Sequence, residues 1–500
     1  MMEHRFEERS IRHLKRDLWQ VQEREQTQEV RLGEDLPDVG NILCVRGQCI
    51  LRSKEWMREE VGVSGGVMAW VMYAPADGSA PRTVEVWIPV QLKWPMPQTD
   101  REGAIRTVMS LRSIDARTVS ARKLMVRAAV SAFAEALEPC QTEVCVPSEM
   151  EDGIQLLKKT YPAVLPVEAG EKSFMIDELV PFPAGSGEVA EIRAFRLDPR
   201  ASQTQVVGGK AVFRGEAKLQ LMCEDGEGTL FPMELSVPFA QFSDLDRDYE
   251  QEATLGLTMA VTDLSAELQE GGVQLKCGLL GQYVVHDRIL LEVAEDAYCP
   301  GRELEIRSRE LELPMMLDSG VETVCTQTVL GNDVARVVDV WTEGAQPKLH
   351  RAGDLVEMEL SGTTWALYLD TEGKLQGASG LWSQVVELPV AGTAAVTAEL
   401  MEQSRPTVSV VDGKIQARQE LVLGTSAQSQ RGVAMLCSAV PGQALERGGD
   451  RPSVILRRSG GQSLWELAKG CGSTVDAIRK ANGITEEPLD GRMLLIPVCS

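Results

Sequence analysis

Histidine is nearly missing from this 500-residue chain: His4, His13, His286 and His350 are all it has. None has a second His, Cys or acid at a ligand spacing, so neither a metal centre nor histidine-based catalysis has an anchor. The closest cysteine pairs, Cys44 with Cys49 and Cys140 with Cys145, lack the Cys-x-x-Cys spacing of zinc and redox sites. Eleven scattered cysteines, an odd number, read as reduced thiols buried as small apolar groups. There is no Gly-x-x-x-x-Gly-Lys-[Ser/Thr] phosphate loop and no Gly-x-Ser-x-Gly nucleophile turn. Nothing singles out a pair of carboxylates for glycoside chemistry. No apolar run is long enough to span a bilayer. The opening MMEHRFEERSIRHLKRDLWQ lacks the apolar core of a secretory signal. Basic charge is also short: 51 Lys and Arg against 74 Asp and Glu leave a net −23, which argues against a nucleic-acid or anionic-membrane surface. These absences predict a non-enzymatic cytoplasmic protein with no catalytic residue, no metal and no cofactor.

What is present is enough apolar residue, 43%, to build several cores. Residues 1–28 alternate basic and acidic side chains. Phe6, Leu14, Leu18 and Val21 form a thin stripe at helical spacing, which predicts a charged N-terminal helix. From Val30 to Thr425 the pattern is strand-like, and it repeats. Val84-Glu-Val-Trp-Ile-Pro-Val90, Met233-Glu-Leu-Ser-Val-Pro-Phe239 and Gln384-Val-Val-Glu-Leu-Pro-Val390 place Pro89, Pro238 and Pro389 at intervals of 149 and 151 residues. Alternation of this kind buries one face of a strand. Proline has no N–H to donate, which puts the strand at a sheet edge or a bulge. Each unit also carries a Gly-and-acid hairpin turn: Ala76-Asp77-Gly78, Glu224-Asp225-Gly226 and Thr371-Glu372-Gly373. A strand pair follows in each: Thr107 to Leu111 with Leu124 to Val130, Leu257 to Val261 with Val273 to Leu279, and Val396 to Leu400 with Lys414 to Leu423. A period this long is a whole domain. The predicted units are 29–145, 146–297 and 298–437. A linker rich in Gly, Pro and charge follows at 438–452.

The last segment, 453–499, changes character. A short strand from Val454 to Leu456 meets Gly460 and Gly461. Ser463 and Glu466 form a capping box, and Leu464, Leu467 and Ala468 recur at helical spacing behind it. Thr474 caps a second helix, which Asn482-Gly483 ends. Met493 to Ile496 is a second strand. The fold class is therefore mainly β, three tandem β-rich repeat domains followed by a small α+β (βααβ) domain.

Gly461-Gln462-Ser463-Leu464-Trp465, Leu467-Ala468, Ala481-Asn482-Gly483-Ile484 and Leu495-Ile496-Pro497 resemble the LysM family, with Gln462 where that family usually has Asp. The resemblance implies a groove between two loops. It is made here by Gly460, Gly461, Gln462, Ser463 and Leu464 on one side and by Asn482, Gly483, Ile484, Thr485 and Leu489 on the other. In the family such a groove takes N-acetylglucosamine polymers. Arg457, Arg458, Lys469, Arg479 and Lys480 flank it. The Leu36-Pro37-Asp38-Val39-Gly40 entry, the segment from Gly153 to Lys158 and the paired strands resemble SPOCS domains of spore-forming Firmicutes. Three such domains before a LysM module are similar to the clostridial spore-coat morphogenetic proteins. That arrangement implies a mother-cell scaffold at the forespore surface, whose LysM module binds the coat's basement-layer ATPase and which gathers other coat proteins. The alternative reading is a peptidoglycan- or chitin-binding protein acting through the same module.

Overall fold

The computed structural model describes residues 6–98, 103–148, 153–250, 252–311, 315–353, 355–388, 395–429, 432–445, 452–485 and 491–498. Its first six strands are β1 (Glu7–Arg31), β2 (Val39–Met57), β3 (Glu60–Pro75), β4 (Arg82–Pro95), β5 (Ala104–Ser120) and β6 (Lys123–Val146). They pair antiparallel as two sheets, β1-β6-β5 and β2-β3-β4. Six more strands follow: β7 (Gln155–Pro181), β8 (Glu191–Val206), β9 (Lys210–Glu224), β10 (Leu230–Asp244), β11 (Thr254–Gln269) and β12 (Gly272–Tyr298). They take the same two orders, β7-β12-β11 and β8-β9-β10.

The next set is more broken: β13 (Arg302–Leu311), β14 (Met315–Leu330), β15 (Val334–Gly344), β16 (Lys348–Ala352), β17 (Leu355–Asp370), β18 (Leu375–Leu388), β19 (Ala395–Gln403), β20 (Thr407–Val411), β21 (Lys414–Ser429) and β22 (Val433–Ala444). Its main orders are β14-β21-β19 and β15-β17-β18. β16 adds to β17, β20 adds to β21, and β13 pairs with β22. Irregularities recur in step with the pairing. The strands β1, β7 and β14 each carry one extra residue, at Asp17, Val167 and Leu317, 150 residues apart each time. The strands β5, β11 and β19 carry another, at Arg112, Thr262 and Met401. A bulge that keeps its place re-aims the same stretch of each strand.

Local sequence explains much of this. In β10, Met233, Leu235, Val237 and Phe239 are buried and the residues between them exposed. Pro89 and Pro238 are exposed on β4 and β10, each the edge strand of its sheet, where a missing donor breaks no ladder. Pro389 and Val390 lie outside the described residues. The hairpin turns are held by aspartates. Asp77 Oδ1 accepts from the Ser79 N–H at 2.9 Å, Asp225 Oδ1 from Glu227 and Thr229, and Asp370 Oδ1 from Glu372 and Lys374. Leu111 faces Val130, Val261 faces Leu279, and Leu400 faces Leu423.

Two expectations are corrected. Residues 7–31 are a strand and not part of a helix. Local charge alternation and a thin apolar stripe favoured a helix, but β6 offers a partner along its full length, from Glu7 opposite Val146 to Arg31 opposite Lys123. Tertiary pairing overrides weak propensity. Phe6, Leu14 and Leu18 are still buried, and Glu25 and Glu29 meet Arg127 and Lys123 across the ladder. The segment assigned to a linker begins as the second half of β22, where Val440 and Ala439 pair with β13. Its residues 446–451 lie outside the described ones.

The three sets share their largest core. Val45, Trp70, Val71 and Ala128 of the first pack with Ala194, Met222, Ala260 and Leu280 of the second and with Trp341, Trp365 and Leu367 of the third. The first and third sets also touch through backbone: a Cβ added at Gly377 on β18 would run into the carbonyl of Leu43 on β2. Gly377→Ala is therefore expected to lower the thermal midpoint by several degrees, since overpacking costs roughly 1–3 kcal/mol. A scan that finds the variant as stable as the parent would show that this seam can part without loss. The chain ends in β23 (Val454–Arg458), α1 (Leu464–Cys471), α2 (Val475–Asn482) and β24 (Met493–Pro497), with β23 antiparallel to β24.

Candidate partner-binding site

The C-terminal βααβ module is fixed at its helix ends. Ser463 Oγ accepts from the Glu466 N–H at 3.2 Å, and Glu466 Oε2 accepts from the Ser463 N–H at 2.9 Å. Thr474 Oγ1 caps α2 through the Ala477 N–H at 3.1 Å. Gly472 and Gly483 close the two helices in the left-handed region, φ 65° and 61°. Backbone bonds bring the expected loops together: Ser459 N–H donates to the Arg492 carbonyl at 2.9 Å, and Gly491 N–H to the Ser459 carbonyl at 3.2 Å.

Of the residues expected to line the groove, Gly460, Gly461, Gln462, Ser463, Gly483 and Thr485 are exposed. Leu489 lies outside the described residues. Leu464 and Ile484 are buried with Leu467, Ala468, Ile478, Leu494 and Ile496, so they hold the fold and are not open to a ligand. Asn482 is occupied as well. Its Oδ1 accepts from the Leu495 N–H at 2.8 Å, and its Nδ2 donates to the carbonyls of Ile478 and Leu495. The reason is size: a fold of about 45 residues needs nearly every apolar loop side chain for its core.

The module is not self-contained. Tyr298, the last residue of β12, belongs to its core. The Tyr298 ring sits 4.8 Å from that of Trp465, edge to face, and its hydroxyl donates to the Ser473 carbonyl at 3.0 Å. Asp296 accepts from the Trp465 indole N–H at 2.8 Å and from Lys469 at 2.7 Å. A bulge between Ala294 and Asp296 aims these side chains at the module. Burial alone would push the Asp296 carboxyl up, but its bonds from Lys469 and Trp465 outweigh that and hold it below the usual carboxylate range. Lys469, expected among the free bases, is thus engaged. Nothing in the sequence marked Asp296 or Tyr298 for this contact.

A cavity of about 670 Å³ lies where the three strand sets meet, lined by β2, β5, β8, β11, β15 and β19. Its charged groups face one another across the sets. Arg46 pairs with Asp339, which also takes Arg405 at 2.6 Å, and Arg196 reaches Glu343 at 2.7 Å. Arg106 donates to Glu135 at 2.8 Å, Glu399 at 2.5 Å and Thr258 at 3.2 Å. Glu135 also takes Arg16 at 2.7 Å. Burial pushes the Glu343 and Glu399 carboxyls up despite their arginines. Burial would also raise Glu135, but Arg106 and Arg16 prevail and hold it down. His286, half-buried beside them, is pushed down to about 4, chiefly by lost hydration. Each of these arginines and carboxylates has an ionic partner, so the arrangement reads as a seam between sets. One sequence signal pointed at it, the lone acid Glu135 in the apolar run from Val130 to Leu137.

Among the described residues no group of three or more His, Cys, Asp or Glu is placed to hold a metal, and no helix is long and apolar enough to cross a membrane. The described cysteines are free. Cys44, Cys145, Cys223 and Cys277 are buried, and Cys325 is exposed, against the expectation that all are buried. Comparison with protein-family models, with curated proteins and with solved structures finds no match to this chain.

Proposed function

We propose that this chain is a non-enzymatic assembly protein of a bacterial spore coat. In this reading three SPOCS-like units carry a LysM-like module that binds the coat's basement-layer ATPase, and the units gather other coat proteins at the forespore surface. The observation that carries the reading is the clamped module. A small domain with two exposed loops is held at a fixed place on the β body, which suits display of a binding surface. Fixing the module on the body lowers the entropy lost when a partner docks. A fluorescent fusion in a sporulating host should collect as a shell around the forespore. A fusion that stays diffuse through sporulation would sink the reading.

The second reading is binding of N-acetylglucosamine polymers. It is favoured by the exposure of Gly460 to Ser463, Gly483 and Thr485 in adjoining loops. Against it, the Asn482 amide is spent inside the module and Gln462 brings no charge. Titration calorimetry of the full chain with chitin oligomers is expected to give no heat of binding. A low-micromolar dissociation constant, about −8 kcal/mol, would favour this second reading.

A further inference from the structure

The ribbon of β23 and β24 has two faces, and the helices cover one. Ile455, Leu494 and Ile496 point to the helices and into the core. On the other face Val454 stands opposite Pro497, Leu456 opposite Leu495, and Arg458 opposite Met493. Leu456 is 68% exposed, Met493 54%, Val454 43% and Leu495 38%. Leaving so many large apolar side chains of one small module in water is costly, since each buried methylene is worth about 0.8 kcal/mol. Contiguous exposed apolar faces mark interaction sites.

The polar bonds of the clamp to β12 reach α1 and the turn after it, at Trp465, Lys469 and Ser473, and Tyr298 packs into the core on the covered side of the ribbon. The ribbon face is left clear of that contact. Arg458 lies on the face, and Arg457 and Arg492 adjoin it. All three are exposed and none makes an ion pair among the described residues. Other arginines, Arg16, Arg106, Arg193 and Arg200 among them, do have carboxylate partners, and the chain as a whole carries a net −23.

We infer that this face binds an apolar segment of a partner protein that also carries carboxylates. The inference deepens the assembly reading and rests on it: it names the surface by which the module holds a protein. A second copy of the chain fits less well. Two five-residue strands cover about 17 Å by 10 Å, far less than the ~800 Å² per side of a stable dimer. Two copies would also bring Arg458 toward Arg458 and two strongly acidic bodies together. A single helix or strand of a partner matches the footprint. Its carboxylates would meet Arg458, with Arg457 and Arg492 at the margin.

Fluorescence anisotropy of the full chain tests this with two labelled peptides of equal length, one built of Leu and Glu and one of Ser and Glu. The Leu/Glu peptide is expected to bind at least tenfold more tightly. Leu456→Ser with Leu495→Ser should weaken it at least tenfold, with the thermal midpoint unchanged because both side chains are exposed. Arg458→Glu should weaken it most at low salt. No binding of the Leu/Glu peptide to the parent, or equal binding by parent and variants, overturns the inference. So does sedimentation showing self-association that the double variant abolishes, which would make a second copy the occupant. No coat protein or sporulating cell enters the assay, so its failure is separate from failure of the coat reading.

Discussion

Arg106→Leu is expected to cost the protein about 3–5 kcal/mol of unfolding free energy at neutral pH, the cost of leaving buried charge without its partner. Arg106 is 7% exposed and joins all three strand sets through Glu135, Thr258 and Glu399. Without it, the buried Glu135 and the half-buried Glu399 share one remaining arginine, Arg16. The pH dependence separates this cause from lost packing. In the parent, Glu135 is held below the ordinary carboxylate range. Its contribution is therefore present above the unfolded value and lost as pH falls through the folded one. Glu399 is raised, so its neutral form favours the fold, and that gain fades as pH rises through its folded value. The variant loses the Glu135 contribution and raises both groups further, so its deficit should shrink as pH falls toward the ordinary carboxylate range. Arg106→Leu combined with Glu399→Gln should recover part of the loss at neutral pH. Denaturant unfolding across this range decides the matter. An equal deficit at every pH would assign the loss to packing and not to charge.

Strand content and edges were legible because they depend on short-range rules. Alternation gave the buried face of β10, and proline gave the edges β4 and β10. A glycine beside an acid gave the turns after β3, β9 and β17. The capping residues Ser463 and Thr474 fixed α1 and α2 for the same reason, since each satisfies groups within a few residues of itself. The misreadings have a different source. The strand character of residues 7–31 depends on β6, more than 90 residues away in sequence, and no local pattern encodes a partner at that distance. The role given to Ile484 failed on burial, because a loop position next to Gly483 looks open until the size of the module's core is known. Of Arg106, Glu135 and Glu399 only Glu135 was legible as an oddity, the one charge in the run from Val130 to Leu137. Their meeting depends on how three sheets pack, which periodicity within one strand does not specify.

The same limit governs the module, whose sequence reads as a closed βααβ unit with its own core. Tyr298 changes that expectation, because it contributes from β12 to the cluster of Leu464, Leu467, Ile478, Leu494 and Ile496. Tyr298→Ala should remove an aromatic ring buried to 6% exposure, the edge-to-face contact with Trp465 and the bond to the Ser473 carbonyl. Large-to-small changes of this kind cost about 3–5 kcal/mol. At about 1.4 kcal/mol per tenfold, amide exchange in α1 and α2 should speed by two to three orders of magnitude. Amides of β3 and β9 should keep the parent rate, since the loss is local opening and not global unfolding. Tyr298→Phe should cost only about 1 kcal/mol, the hydroxyl's bond alone. Asp296→Ala should fall between, with an effect that salt reduces because Lys469 is partly exposed. A module whose helices stay as protected in Tyr298→Ala as in the parent would have a self-sufficient core, and the clamp would then be a resting contact. If protection falls as expected, any partner that binds the module and strains it against β12 also draws on the stability of the module itself, which couples capture at the ribbon face to the body that carries it.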